Sequence, residues 1–149
     1  MADLEIIKEL RDSTGLSFNE IKKALEESGG DKIKTIELLR ARGSVVSEKR
    51  ASRSTDQGII EAYVHSNKKI AVLVEVLCET DFVARNPLFE ELAREIAMHV
   101  AAMDPQDNQE LLRQSYIRDQ NLTIEQLISQ SIAKLGENIR VGKFCRLQL

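Results

Sequence analysis

The strongest constraint on the fold of this chain is a change in the spacing of its apolar residues near Gly58. In the first 43 residues the apolar residues recur every three or four positions, which is typical of one face of a helix, and residues 44–56 show little sustained periodicity. After it, residues 59–65 and 70–79 are rich in Ile, Val and Leu and predict two strands, joined by a hairpin turn at Ser66-Asn67-Lys68. Residues 139–149 alternate as a closing strand. We therefore predict an α+β fold, in which a helical module precedes a small antiparallel sheet packed with helices.

The first 43 residues predict three short helices. Ser17 and Glu20 have the spacing of a capping box, in which each side chain bonds the other's backbone N–H, so a helix should begin there. Gly29-Gly30 should end that helix, because glycine adopts the left-handed terminal conformation without a steric penalty. Asp31 is placed to cap the third helix, and Gly43 is the expected end of it.

These boundaries divide the chain into three parts: a helical module at 1–43, a polar segment at 44–56, and an α+β core at 57–149. The polar segment is interpreted as a solvated linker or short polar helix, and the alternative is a basic strip of Lys49, Arg50 and Arg53 that contacts a partner. A module of about 40 residues buries only a small core and should be marginal in isolation. The second predicted strand is apolar at nearly every position, which predicts that both of its faces are covered.

Composition disfavours two classes of partner. The net charge is −3, only 4% of residues are aromatic and Trp is absent, so neither phosphate neutralisation nor base stacking favours nucleic acid. No apolar run approaches the roughly 18 residues needed to cross a membrane. The start of the chain, Met1 to Glu5, lacks the features of a secretion signal, and two cysteines are too few for a disulfide framework. We expect a cytoplasmic protein.

The residues that could carry chemistry are few and scattered. The glycines match no phosphate-binding fingerprint, and His65 and His99 have no partner at metal-ligand spacing. Cys78 and Cys145 are expected to act as small hydrophobic residues. A thiol enzyme that uses Cys78 with a histidine would need a lowered thiol pKa. We predict no catalytic site, metal or cofactor, and a function in binding.

The segment from Thr80 to Asn86 does not fit an ordinary polar loop, because an acid, Asp81, and a large aromatic residue, Phe82, stand side by side. One interpretation places Phe82 in the core, with Asp81 in a turn hydrogen bond. The other treats Phe82 as an aromatic anchor for a pocket on a partner, with the carboxylate beside it.

This region resembles the signature of the elongation factor Ts family, and the resemblance extends over nearly the whole chain. Departures from the family pattern occur at Phe18-Asn19, Glu20-Ile21 and Leu77. The residues that carry the resemblance are Val74 to Asn86; Leu10-Arg11, Thr14-Gly15, Lys22-Lys23-Ala24-Leu25, Gly30-Asp31 and Leu39-Arg40 in the module; and Leu135 to Ile139 with Lys143 to Arg146 in the tail.

The resemblance implies a ubiquitin-associated-like module and nucleotide exchange on elongation factor Tu, whose GDP and Mg²⁺ belong to that partner. It implies that the Asp-Phe pair acts near the magnesium ion. The chain has the length of a form with one core subdomain, for which we expect a homodimer through the closing strand around Phe144 and Cys145. The residues expected to bind the partner are Thr80, Asp81, Phe82 and Val83 in the core, and Arg11, Gly15, Lys22 and Lys23 in the module.

An alternative is an adaptor in which residues 1–43 bind a protein partner without any exchange activity. It leaves Asp81 and Phe82 without a role. Release of a fluorescent GDP analogue from elongation factor Tu would distinguish the exchange factor from both the adaptor and the thiol enzyme.

Overall fold

The computed structural model describes residues 4–149, so Met1-Ala2-Asp3, which belong to the predicted module and to the expectation about the start of the chain, lie outside it. The described residues form helices and strands in the following order: α1 (Leu4–Thr14), α2 (Phe18–Glu27), α3 (Lys32–Arg50), β1 (Gln57–Val64), β2 (Ile70–Cys78), α4 (Asp81–Ala84), α5 (Pro87–Met103), α6 (Asn108–Arg113), β3 (Ser115–Tyr116), β4 (Asp119–Thr123), α7 (Ile124–Leu135) and β5 (Ile139–Gln148). The predicted α+β class is confirmed.

Helices α1 to α3 form the predicted three-helix module around their own apolar cluster. The capping box at the start of α2 is confirmed: the Ser17 N–H donates to the Glu20 carboxylate at 3.0 Å, and the Glu20 N–H donates to Ser17 Oγ at 3.3 Å. Asp31 caps α3 through the backbone N–H groups of its first turn. The cluster is completed from outside the module by Ala133 of α7, so the module packs on the core.

The predicted end of the third helix at Gly43 is wrong, because α3 continues to Arg50. Glycine inside a helix costs only about 1 kcal/mol relative to alanine, and packing can outweigh that cost. Here α3 packs along α7, and the guanidinium of Arg50 donates to the Ile132 carbonyl at 3.0 Å. Residues 44–50 are therefore helix, and only 51–56 connect the module to the sheet. The division into domains stays a prediction.

The sheet of the core has three antiparallel strands in the order β1-β2-β5. The predicted hairpin between β1 and β2 is confirmed, with Lys68 at a positive φ of 58° and its N–H donating to the His65 carbonyl at 2.8 Å. Helix α5 packs across one face of β1 and β2. The core on this face is built from buried side chains of the sheet and helices, among them Val72, Val74, Val76, Phe89, Ile96, Ile124 and Ile132.

The other face of the sheet is open, so the prediction that both faces of β2 are covered is wrong. Side chains of β2 alternate between buried and more exposed positions, and Leu73 is 50% exposed. Ile60 on β1 and Leu147 on β5 are 70% and 75% exposed. The apolar character of β2 on this side therefore does not reflect burial within this chain.

Of the two histidines, His99 is fully buried in α5, where its Nε2 lies 2.9 Å from the Gln114 side chain. Burial lowers the pKa of His99 below its usual value. His65 is exposed beside Tyr63. Between residues 4 and 149, no helix is long and apolar enough to cross a membrane.

Candidate partner-binding site

Residues 81–84 form one short helical turn, α4, where the sequence indicated only a loop. Thr80 begins it in an extended conformation, and its hydroxyl accepts from the Val83 N–H at 3.4 Å. Val83 and Ala84 are buried in the core. Val83, predicted to bind a partner, is therefore packed in the core, whereas Asp81 and Phe82 face solvent.

Phe82 projects from this turn and is 91% exposed, so the interpretation that places it in the core is wrong. Asp81 beside it is also exposed, and its carboxylate pairs with Arg85 at 2.6 Å. A Phe side chain that leaves its apolar surface in water is unfavourable for the isolated chain, which is the property expected of an anchor for another molecule.

A carboxylate from a distant part of the chain holds the turn at its start. Glu137, in the loop between α7 and β5, accepts the Thr80 backbone N–H at 2.9 Å and the Thr80 hydroxyl at 2.7 Å, using both of its oxygens. Glu137 is not among the residues predicted from the sequence to bind a partner. Its signals in the sequence were the family resemblance of Leu135 to Ile139 and the pair of polar residues, Glu137-Asn138, directly before the closing strand.

A second contact lies next to the first. The Asn138 N–H donates to the Glu79 carboxylate at 2.7 Å, and the Asn138 amide donates to the Arg53 carbonyl at 2.9 Å. Arg53 in turn lies 3.6 Å from the Glu79 carboxylate. The end of β2 is thus tied to the α7–β5 loop and to the segment that leaves the module.

In the module, Arg11, Lys22 and Lys23 are exposed, as a role in binding requires. Gly15 has a different environment: its φ is +69°, and a Cβ atom there would lie 2.6 Å from the backbone of Lys134 in α7. Gly15 therefore allows the module to approach the core closely, which is a structural role within this chain.

Cys78 lacks the features of a nucleophile. Its thiol donates to the Thr80 carbonyl at 3.2 Å, and burial, together with the nearby Glu137 carboxylate, raises its pKa to about 11. The thiolate is therefore scarce at neutral pH, which argues against the thiol-enzyme alternative. Across the described range, no group of three or more His, Cys, Asp or Glu residues is arranged to hold a metal ion.

Comparison with known proteins matches this chain to a known family. The profile of the family described as Elongation factor TS matches residues 79–149, which begin just before the Asp81-Phe82 turn. Three curated relatives are each named Elongation factor Ts. That of Thermosipho melanesiensis is 41% identical over 98% of this chain and 97% of the relative. Those of Fervidobacterium nodosum and Nitratidesulfovibrio vulgaris are each 40% identical over 97% of this chain, and over 96% and 95% of the relative.

The longest of these alignments spans 191 positions and the chain has 149 residues, so the relative carries residues within the aligned range that this chain lacks. The match nevertheless extends over both the module and the core. The chain therefore belongs to the elongation factor Ts family and is a translation elongation factor.

Proposed function

We propose that this chain is a guanine nucleotide exchange factor that binds elongation factor Tu and promotes release of its GDP. The observation that carries the proposal is the exposed Phe82 on a turn whose other side is buried. Since the partner would be part of protein synthesis, we also propose a cytoplasmic location. The GDP and its Mg²⁺ belong to the partner.

In this proposal Phe82 enters a pocket on the GTPase and Asp81 approaches the surroundings of the magnesium ion. The ion pair between Asp81 and Arg85 is largely exposed, and such pairs contribute only about 0–1 kcal/mol. Asp81 can therefore leave Arg85 on binding at little cost. By linkage, a factor that lowers the affinity for GDP is itself bound less tightly when GDP is present, by the same multiple.

The direct test is release of a fluorescent GDP analogue from elongation factor Tu, measured by stopped flow with and without this chain. We expect release to accelerate with the concentration of the chain until it saturates. Binding without acceleration would support the adaptor alternative. The adaptor alternative gives Phe82 no role, whereas the exchange-factor proposal uses Phe82 as an anchor for the partner.

We propose that the module contributes affinity through Arg11, Lys22 and Lys23. Deletion of residues 1–43 is a poor test, because it would cut α3 and expose the face of α7 that the module covers. Reversing the charge of both lysines, Lys22→Glu with Lys23→Glu, should raise the Kd by about tenfold or more, since a like charge across an interface costs several kcal/mol. Calorimetry measures this directly, and Lys34→Glu, on α3, is the matched control. A Kd equal to that of the control would remove these lysines from the interface.

We also propose that the chain forms a homodimer. Both β1 and β5 are edge strands, so an edge at the closing strand is available, with Cys145 exposed and Phe144 packed against the core. The open apolar face of the sheet, which includes Ile60, Leu73 and Leu147, offers a broader surface for a second copy.

Leu73→Asp tests this surface, because Leu73 lies at its centre on the middle strand. We expect light scattering to give a dimer for the unmodified chain and a monomer near 16.8 kDa for the variant. Ile33→Asp, at an equally apolar exposed position on α3, should stay a dimer. A monomeric unmodified chain at micromolar concentration would overturn the proposal.

A further inference from the structure

The α4 turn is too short to hold its own conformation. It has four residues, and a single helical turn is unstable in water unless other contacts fix it. Its C-terminal half is fixed by the buried side chains of Val83 and Ala84. Its N-terminal half carries Asp81 and Phe82, whose side chains are exposed. Because the Asp81–Arg85 ion pair is also largely exposed and such pairs contribute little, we expect the contacts at Thr80 to contribute more to their orientation.

Those contacts converge on Glu137. Its two oxygens accept the backbone N–H of Thr80 at 2.9 Å and the hydroxyl at 2.7 Å. Because the hydroxyl proton is committed to Glu137, a lone pair of the same oxygen is turned towards the Val83 N–H, which it accepts at 3.4 Å. The Glu137 carboxylate thus fixes the position of the Thr80 backbone and also the orientation of the Thr80 hydroxyl, which caps α4.

The loop that carries Glu137 is itself held. The Asn138 side chain, which is buried, donates to backbone carbonyls of Ala51 and Arg53, and the Asn138 N–H donates to Glu79. The carboxylate therefore approaches Thr80 from a loop that is anchored independently of α4.

We propose that Glu137 is a positioning residue for nucleotide exchange: it holds Thr80 so that α4 presents Phe82 in the binding orientation before the partner arrives. The inference rests on the proposed exchange function. Without Glu137 the turn populates other conformations, and the apparent affinity falls with the fraction that remains competent. The loss should appear in the concentration dependence of exchange, and the rate at saturation should change much less.

The main variant is Glu137→Gln, which keeps the size of the side chain but replaces one acceptor oxygen with an NH₂ group that cannot accept. We expect the concentration of the chain needed for half-maximal GDP release to rise by about tenfold. The melting temperature should change little, because the contact lies at the surface. Glu90→Gln, at an exposed position in the first turn of α5, is the matched control and should behave as the unmodified chain.

A pair of variants at Thr80 tests whether Glu137 acts through this residue. Thr80→Ser keeps the hydroxyl and should lose clearly less nucleotide exchange than Thr80→Val, which should lose about as much as Glu137→Gln. Combining Glu137→Gln with Thr80→Val should then cost clearly less than the product of the two separate losses. If the losses caused by Glu137→Gln and Thr80→Val multiply in full, as they do for residues that act independently, the proposal is overturned.

Amide hydrogen exchange of residues 80–85 in the free chain tests the positioning without elongation factor Tu. We expect faster amide hydrogen exchange in this segment for Glu137→Gln, and unchanged amide hydrogen exchange in the sheet. If the unmodified chain fails to release GDP, the proposed function fails, and this measurement still decides whether Glu137 orders α4. The positioning role would be overturned if Glu137→Gln left the protection of residues 80–85 unchanged. It would also be overturned if Glu137→Gln had the same nucleotide exchange activity as Glu90→Gln.

Discussion

Replacement of Phe82 with alanine is expected to slow GDP release from elongation factor Tu by roughly thirtyfold to several hundredfold, with the melting temperature nearly unchanged. Truncation of an aromatic anchor that fills a partner's pocket typically loses about 2–4 kcal/mol of binding free energy. A buried Phe would instead cost about 3–5 kcal/mol of folding stability when replaced by Ala. Phe82 is 91% exposed, so its truncation removes almost no buried contact from the free chain. The loss of free energy should therefore appear in binding to the partner and not in folding stability.

The measurement is GDP release and thermal unfolding on the same protein preparation. Met103→Ala is a suitable control, because Met103 is also an exposed apolar residue but lies at the other end of α5, about 24 Å along the helix from Pro87. It should affect neither property. Asp81→Ala, which removes the carboxylate but little contact area, should slow release less than Phe82→Ala. A Phe82→Ala protein that melts far lower, yet exchanges normally per folded molecule, would contradict the assignment.

Replacement of Gly15 with alanine is expected to destabilise the chain by about 2–5 kcal/mol. Two physical terms add at this position. A left-handed conformation costs a non-glycine residue about 1–2 kcal/mol, and the φ of Gly15 is +69°. The new Cβ would also lie 2.6 Å from backbone atoms of Lys134, which cannot move aside as a flexible side chain could, and such overpacking costs about 1–3 kcal/mol.

Gly30→Ala separates these two terms. Gly30 has a φ of +83°, but no atom lies within 4 Å of the position its Cβ would take. This variant should therefore show only the conformational cost. Urea unfolding of both variants, followed by circular dichroism, gives the comparison. Equal loss of stability at the two positions would show that the module does not depend on the close approach at Gly15.

The local elements of the fold were predictable because their signals act over a few residues. The capping box at Ser17 and Glu20, the cap at Asp31 and the hairpin at Ser66-Asn67-Lys68 each depend on neighbours in the chain, and the structure confirms them. The end of α3 at Gly43 was predicted wrongly, because a weak helix-breaking signal was outweighed by packing against α7, more than 80 residues further along the chain.

Some features of the candidate site were also predictable from the sequence, and others were not. The Asp81-Phe82 pair stands out in the sequence as an acid and an aromatic side chain at a strand end, and the resemblance to the family marked it as functional. Periodicity could not show that Val83 points into the core, since a four-residue turn is too short to have a period. It also could not show that Gly15 lies against Lys134, because that contact joins separate elements.

The sequence by itself determined the class of the fold, the three-helix module, the hairpin and the family, since each depends on local spacing or on matched residues. Only the tertiary structure decided that Phe82 faces solvent, that one face of the sheet is open, and that Glu137 holds Thr80 across 57 positions of the chain. The physical reason is that burial and hydrogen bonding between distant segments depend on how the elements pack. No local pattern records which side of a strand or turn will be covered.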